Sequence, residues 1–212
     1  MRTTLIHERK IALGLDELRR RLTRRGAPAE SVYGDDGAGR ESVAVTLASV
    51  LVPIVAHPAE LTVLFTQRTR HLKRHAGQIS FPGGRVEAHD ATPEFTALRE
   101  AEEEIGLRAE RVEIVARLPD YFTRTGYRVT PVVGVLMPPL ELAPDRREVD
   151  EVFEVPLAFL LDPRNHQRRT REFQGRTVGF FVLQYGSRTI WGATAGMLVN
   201  LYRQLAGAPP AG

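Results

Sequence analysis

The sequence predicts an α+β fold in which a β-sheet is covered by helices on both faces. Three observations lead there: apolar runs that suit buried strands, amphipathic stretches at helical period, and the interleaving of the two along one chain. A length of 212 residues suits one domain with a sizeable core.

Residues 8–25, ERKIALGLDELRRRLTRR, repeat apolar positions at helical spacing, so residues 1–25 are expected to form an N-terminal helix packed on the domain. Gly, Ala, Ser and Asp dominate residues 26–42, a loop. VAVTLASVLVPIV (43–55) and LTVLFTQR (61–68) read as buried strands. Thr92 suits a helix N-cap, Pro93 the first helical position and Gly106 the stop. RVEIVARL, YRVTPVVGVLM and DEVFEVPL follow as strands or strand-to-helix junctions. RTVGFFVLQYGSRTIWG forms a hairpin turning at Tyr185-Gly186-Ser187, and a last helix starts near Thr194. The main domain thus covers residues 43–206, and residues 207–212 are expected to be a disordered tail.

Composition narrows the function. The chain has no Cys, which excludes disulfides and thiolate metal sites. No run approaches the roughly 18 apolar residues of a membrane span. MRTTLIHERK lacks the apolar stretch of a signal peptide, so a cytoplasmic location and no membrane partner are expected. The net charge of +3, from 29 basic and 26 acidic side chains, does not suggest general nucleic-acid binding. Local basic clusters suit an anionic small molecule instead. A homodimer is left open, since no residue specifies one.

The densest chemistry lies in GGRVEAHDATPEFTALREAEEEIGL, residues 83–107. At about 100° per residue, Glu100, Glu103 and Glu104 share one face, with Phe95, Leu98, Ala101 and Ile105 on nearly the opposite side. Like charges at this spacing repel by a few tenths of a kcal/mol per pair. Either water screens them on a solvated face, or a hard cation such as Mg²⁺ or Mn²⁺ sits among them with water and substrate phosphate. His71 and His75 are four apart but lack a His-Glu-x-x-His pattern, so zinc is not expected. Tyr127 and Trp191 are expected to be core or pocket wall.

The run from Arg99 through Leu107, after Gly84, resembles the Nudix box: Gly, five residues, Glu, seven residues, then Arg-Glu, apolar, any, Glu-Glu, any, Gly, apolar. The first half departs from it, because Asp90 stands where the box has Glu and one extra residue separates it from Arg99. LFTQRTRHLKRHAGQISFPGG (64–84) is similar to the signature that precedes the box in the coenzyme A pyrophosphatase branch of Nudix hydrolases. That branch tends to carry the longer box, with acidic residues at positions matching Glu87 and Asp90. TGYRVTPVVGVL, EVDEVFEVPL and WGATAGML resemble its later segments, so the likeness covers about residues 44–205.

The resemblance implies a Nudix-type α/β/α sandwich with a mixed β-sheet between helices. It also implies metal-dependent water attack on coenzyme A, giving 3′,5′-ADP and 4′-phosphopantetheine. Glu100 and Glu104 would be the metal ligands, with Mg²⁺ or Mn²⁺ as cofactor. Glu103 would be a third ligand or the base, and Arg99 would orient a carboxylate. Arg68, Arg70, Lys73 and Arg74 would face the phosphates, while Gly83 and Gly84 allow close backbone approach. Glu148, Asp150 and Glu151 are alternative bases from a distant loop. The same chemistry on ADP-ribose, a dinucleoside polyphosphate or an oxidised nucleoside triphosphate stays open. So does a ligand-binding module without catalysis, and, more weakly, a nucleic-acid binder with steeply salt-dependent affinity.

Overall fold

The computed structural model describes residues 13–24, 45–71, 76–173 and 175–207. In chain order the elements are α1 (Leu15–Leu22), β1 (Thr46–Ala56), β2 (Leu61–Arg68), β3 (Ile79–Ser80), β4 (Gly83–Arg85) and α2 (Pro93–Ile105). Then come β5 (Val112–Arg117), β6 (Tyr121–Phe122), β7 (Tyr127–Leu136), β8 (Val149–Pro156) and α3 (Leu157–Leu160). The chain closes with β9 (Gln167–Phe173), β10 (Arg176–Tyr185), β11 (Arg188–Trp191) and α4 (Ala193–Ala206).

The main sheet is mixed. β1 runs parallel to β7 along nearly its whole length, and its other pairings, with β2 and β4, are antiparallel. β8 takes one full edge of β2, so β1 and β3 share the other, β1 near the start of β2 and β3 near its end. β1 and β2 therefore part, and β3 and β4 fill the gap between them. That split puts Gly83 and Gly84 within the sheet rather than at its rim. β9, β10 and β11 form a separate antiparallel sheet.

Side-chain alternation along β1 builds two cores. Leu51 and Val55 join Leu64, Val132 and Leu136 beneath Ala97, Ala101 and Ile105 of α2. Val52, Ile54 and Ala56 join Phe65, Val133 and Val135 against α3, α4 and the small sheet. Strands buried on both faces read as continuous apolar runs, which is why β1 and β7 stand out in the sequence. Helices lie on both faces, as expected.

α1 is short for an isolated helix. Its buried Leu18 and Leu22 attach it to the second core, each contributing roughly 2 kcal/mol. Arg21 donates to the Leu205 carbonyl at the end of α4, at 2.8 Å. Residues 1–12 of the expected N-terminal helix, the 26–42 loop and residues 208–212 of the tail lie outside the described residues.

Two details differ from the sequence reading. No apolar alternation marks β9, QRRTREF; its order comes from pairing with β10. Phe95, expected on the packed face of α2, is half exposed. The helix instead rests on Ala97, Ala101 and Ile105, whose two alanines let it approach the sheet closely. That rotation carries Glu104 into the packed face, so the acidic face does not stand clear of the core.

Candidate active site

α2 begins and ends where local chemistry requires. The Thr92 hydroxyl accepts from the Phe95 amide at 3.1 Å, and Pro93 occupies the first turn. Gly106 adopts φ 68°, the left-handed conformation that stops a helix. The chain beyond β7 then takes up the carbonyls at that end: the Ala143 amide donates to Ile105 at 2.8 Å and the Asp145 amide to Glu104 at 2.9 Å.

The three carboxylates fan outward from the sheet. Glu104 is buried; its Oε2 accepts from the Gly83 amide at 3.2 Å and its Oε1 from Arg68 Nη1 at 3.4 Å. Glu100 is half-buried and lies over Gly84, where a methyl group would overlap its carboxylate. Glu103 is exposed and accepts from Arg99 Nη1 at 3.1 Å. The paired glycines thus form a backbone floor on which the first two carboxylates rest.

Burial pushes the Glu104 carboxyl up to about 7, against the opposing pull of the Gly83 amide and Arg68, with Glu100 and Glu148 adding repulsion. Burial raises Glu100 as well, opposed by Arg99. Two oxygen-bearing groups that resist ionisation, one helical turn apart, form a site that a divalent cation would stabilise.

Asp90 holds the frame together. Its side chain is fully covered and accepts from Arg99 Nε at 3.1 Å, Arg99 Nη2 at 3.0 Å, the Thr96 hydroxyl at 2.9 Å and the Glu87 amide at 2.9 Å. The Arg99 guanidinium first, then the other donors, hold its carboxyl well below the usual range, despite desolvation. Arg99 also reaches Glu100 at 3.0 Å and the Arg85 carbonyl at 3.1 Å. Arg99 therefore orients carboxylates and is buttressed from behind.

A profile of the NUDIX domain matches residues 46–174. The chain belongs to the Nudix family. It is 40% identical over 170 residues to the "Uncharacterized Nudix hydrolase NudL" of Escherichia coli (strain K12 / DH10B), covering 80% of this chain and 88% of that one. Among solved structures, a Nudix hydrolase from M. smegmatis, RenU, is 26% identical at a TM-score of 0.46, over 56% of this chain and 75% of that one. A C. elegans Ap4A hydrolase binary complex is 20% identical at a TM-score of 0.46, over 52% of this chain and 80% of that one.

Within the Nudix box, the extra residue before Arg99 is taken up in the turn ahead of α2, and Asp90 still reaches Arg99. Among the described residues, no group of three Asp, Glu or His side chains encloses a metal position by itself. The donor set still fits Mg²⁺ or Mn²⁺, which bind through one or two carboxylates completed by water and substrate phosphate. Glu100 and Glu104 could supply those carboxylates. Glu103 is turned toward Arg99, which bridges it to Glu100.

The other expected site residues divide. Arg68, at the end of β2, pairs with Glu104 and also lies 3.8 Å from Glu148. Arg70 is exposed on the turn beyond it, and Lys73 and Arg74 lie outside the described residues. Gly83 and Gly84 accommodate carboxylates here rather than presenting open backbone.

Of the three candidates from the distant loop, only Glu148 comes to the cluster. The Thr69 amide donates to the Glu148 carbonyl at 2.9 Å, which fixes that loop beside Arg68. Glu151 is paired with Arg188 at 2.7 Å, and the Asp150 carbonyl accepts from Arg146 at 2.7 Å. Asp90 is the group whose part the sequence left undecided; only its place opposite Arg99 across the turn reveals it. Among the described residues, no helix is long and apolar enough to cross a membrane.

Proposed function

We propose that this Nudix protein hydrolyses the diphosphate bond of coenzyme A or of a coenzyme A derivative, releasing 3′,5′-ADP and 4′-phosphopantetheine. The observation that carries the hydrolytic reading is the pair Glu100 and Glu104, one turn apart over the Gly83-Gly84 floor. The coenzyme A reading rests on the likeness of residues 64–84 to the signature of that branch. Those residues include the end of β2, all of β3 and the start of β4, the segments that frame the carboxylates.

A bound Mg²⁺ or Mn²⁺ would offset diphosphate charge and lower the pKa of a coordinated water. Glu100 and Glu104 would hold that ion, and Arg99, braced by Asp90, holds Glu100 in place. Water adds to one phosphorus as the bridging P–O bond breaks, and the water proton must go to a base. Glu148 is favoured for that role, because the Glu103 carboxylate is engaged by Arg99 while Glu148 faces the cluster across Arg68.

A product assay tests the reading. Purified protein is incubated with coenzyme A, with and without Mg²⁺ or Mn²⁺, and products are identified by mass beside ADP-ribose and a dinucleoside polyphosphate. Metal-dependent release of 3′,5′-ADP and 4′-phosphopantetheine, faster than turnover of the other two, is expected. Turnover of another diphosphate alone would discard the substrate and keep the chemistry. Turnover of none would leave a binding module.

A further inference from the structure

β8 is irregular at its start, beside the carboxylate cluster. Gln67 of β2 lies opposite Glu151, but the next residue, Arg68, lies opposite Val149, so Asp150 is an extra residue in β8. The side chains show the same bulge. Val149 is buried in the core beneath α2, and Val152, three positions on, packs against that core, while Phe153 belongs to the other. A one-residue bulge re-aims what precedes it. Here Glu148 precedes it, and across the ladder stands Arg68, which reaches both Glu104 and Glu148.

A bulge interrupts the ladder, so its position needs other support. The Thr69 amide donates to the Glu148 carbonyl at 2.9 Å, and Arg146 Nη1 donates to the Asp150 carbonyl at 2.7 Å. A third contact comes from the small sheet. Arg188, the first residue of β11, donates through Nη1 and Nη2 to the two Glu151 oxygens, at 2.8 and 2.7 Å. Its guanidinium carbon lies 3.7 Å from the Phe153 ring centroid, so one planar group is stacked and doubly bonded at once. The turn that carries it is braced as well: the Gln184 side-chain amide donates to the Gly186 carbonyl at 2.9 Å and the Arg188 carbonyl at 3.1 Å. Arg188 thus fixes the first regularly paired residue beyond the bulge. A slip of one register there would carry Glu148 about 3.3 Å along β2, more than a positioned proton acceptor tolerates.

We infer that Arg188 is a positioning residue for the hydrolysis: by gripping Glu151 from the small sheet, it sets the Asp150 bulge and, through it, the place of Glu148. The inference rests on the reading of Glu148 as the base. It gives the small sheet, which carries none of the clustered carboxylates, a part in the reaction.

Two measurements on the full-length protein test this. In the first, amide hydrogen exchange is followed without metal in the parent and in Arg188→Gln. The Thr69 amide, whose acceptor is the Glu148 carbonyl, should exchange at least tenfold faster in the variant, while Val133 in the centre of the sheet keeps its rate. In the second, kcat and KM are measured for Arg188→Gln, Glu148→Gln and the double variant, on whichever diphosphate is turned over. Arg188→Gln alone should lower kcat roughly tenfold with KM unchanged, and should cost nothing further once Glu148 is Gln. Glu151→Gln, which loosens the same grip from β8, should behave alike and replaces Arg188→Gln if that protein does not fold. Unchanged Thr69 exchange in a folded variant, or an equal loss of kcat in both backgrounds, would overturn the assignment. The two readings fail distinguishably. Turnover of coenzyme A with either of those results removes only the part given to Arg188, whereas turnover of no diphosphate removes the hydrolysis and that part with it.

Discussion

Arg99 spans the full width of the Asp90 carboxylate, Nε to Oδ1 at 3.1 Å and Nη2 to Oδ2 at 3.0 Å, and extends the same guanidinium to Glu100 and Glu103. One cation thus ties the turn before α2 to two carboxylates on the helix. Asp90→Asn should lower the melting temperature at pH 7 and reduce kcat, because Arg99 loses its fixed counter-charge. The pH dependence has a definite sign. The folded carboxyl titrates below its ordinary 3.8, so its contribution is complete above that value and is lost as pH falls below it. Melting curves of the two proteins should converge toward acid pH; a constant difference would remove Asp90 from this role.

Glu104→Gln should abolish metal-dependent turnover and, without metal, stabilise the protein. The folded carboxyl is raised from 4.5 to about 7, so the fold holds a proton there that the unfolded chain has released. Stability therefore falls as pH rises from 4.5 to about 7, by up to about 3 kcal/mol. The glutamine should melt higher than the parent at pH 8 in chelator and equally near pH 4. A lower melt at pH 8 would contradict the burial argument.

The two floor glycines should fail differently. The atoms nearest a methyl on Gly84 are the carboxylate end of Glu100, which can move aside, so Gly84→Ala should lose metal response with little change in melting. A methyl on Gly83 meets the Ser49 carbonyl and the Val50 backbone at φ 153°, so Gly83→Ala should destabilise the sheet. Thermal melts with and without Mn²⁺ separate the outcomes.

Glu148→Gln should lower kcat about a hundredfold or more while KM and metal dependence persist, since only proton acceptance is lost. Glu103→Gln should cost less. The reverse ranking, measured in the same coenzyme A assay, would return the base to Glu103.

Gly196 lies on α4 against the Tyr121 ring, which a methyl would overlap. Gly196→Ala should cost about 1–3 kcal/mol through overpacking, with kcat/KM for the folded fraction unchanged. Chemical denaturation measures the first and the turnover assay the second.

Much of this is legible in the residues. The strand at 61–68, the Thr92 cap and the Gly106 stop lie where local chemistry puts them, because each depends on neighbours within a few positions. The crowding of Glu100, Glu103 and Glu104 is equally local. What depends on distant partners is not. The depth of Glu104 follows from how closely two alanines let α2 approach the sheet. β9 is a strand because β10 lies beside it, and its arginines show no period of their own. Glu148 could not be separated from Asp150 and Glu151 until Arg188 claimed Glu151 and Thr69 fixed the loop.

The parallel ladder between β1 and β7 joins residues about eighty positions apart, Thr46 opposite Tyr127 and Val55 opposite Leu136. Such a pairing carries a large loop-closure cost before any contact repays it, so it slows the folding of this domain. During synthesis, β1, β2 and α2 emerge from the ribosome before the strand that completes the centre of the sheet. At roughly 5–20 residues per second, β1 waits several seconds with an apolar edge unpaired, the interval in which a nascent chain most needs a chaperone.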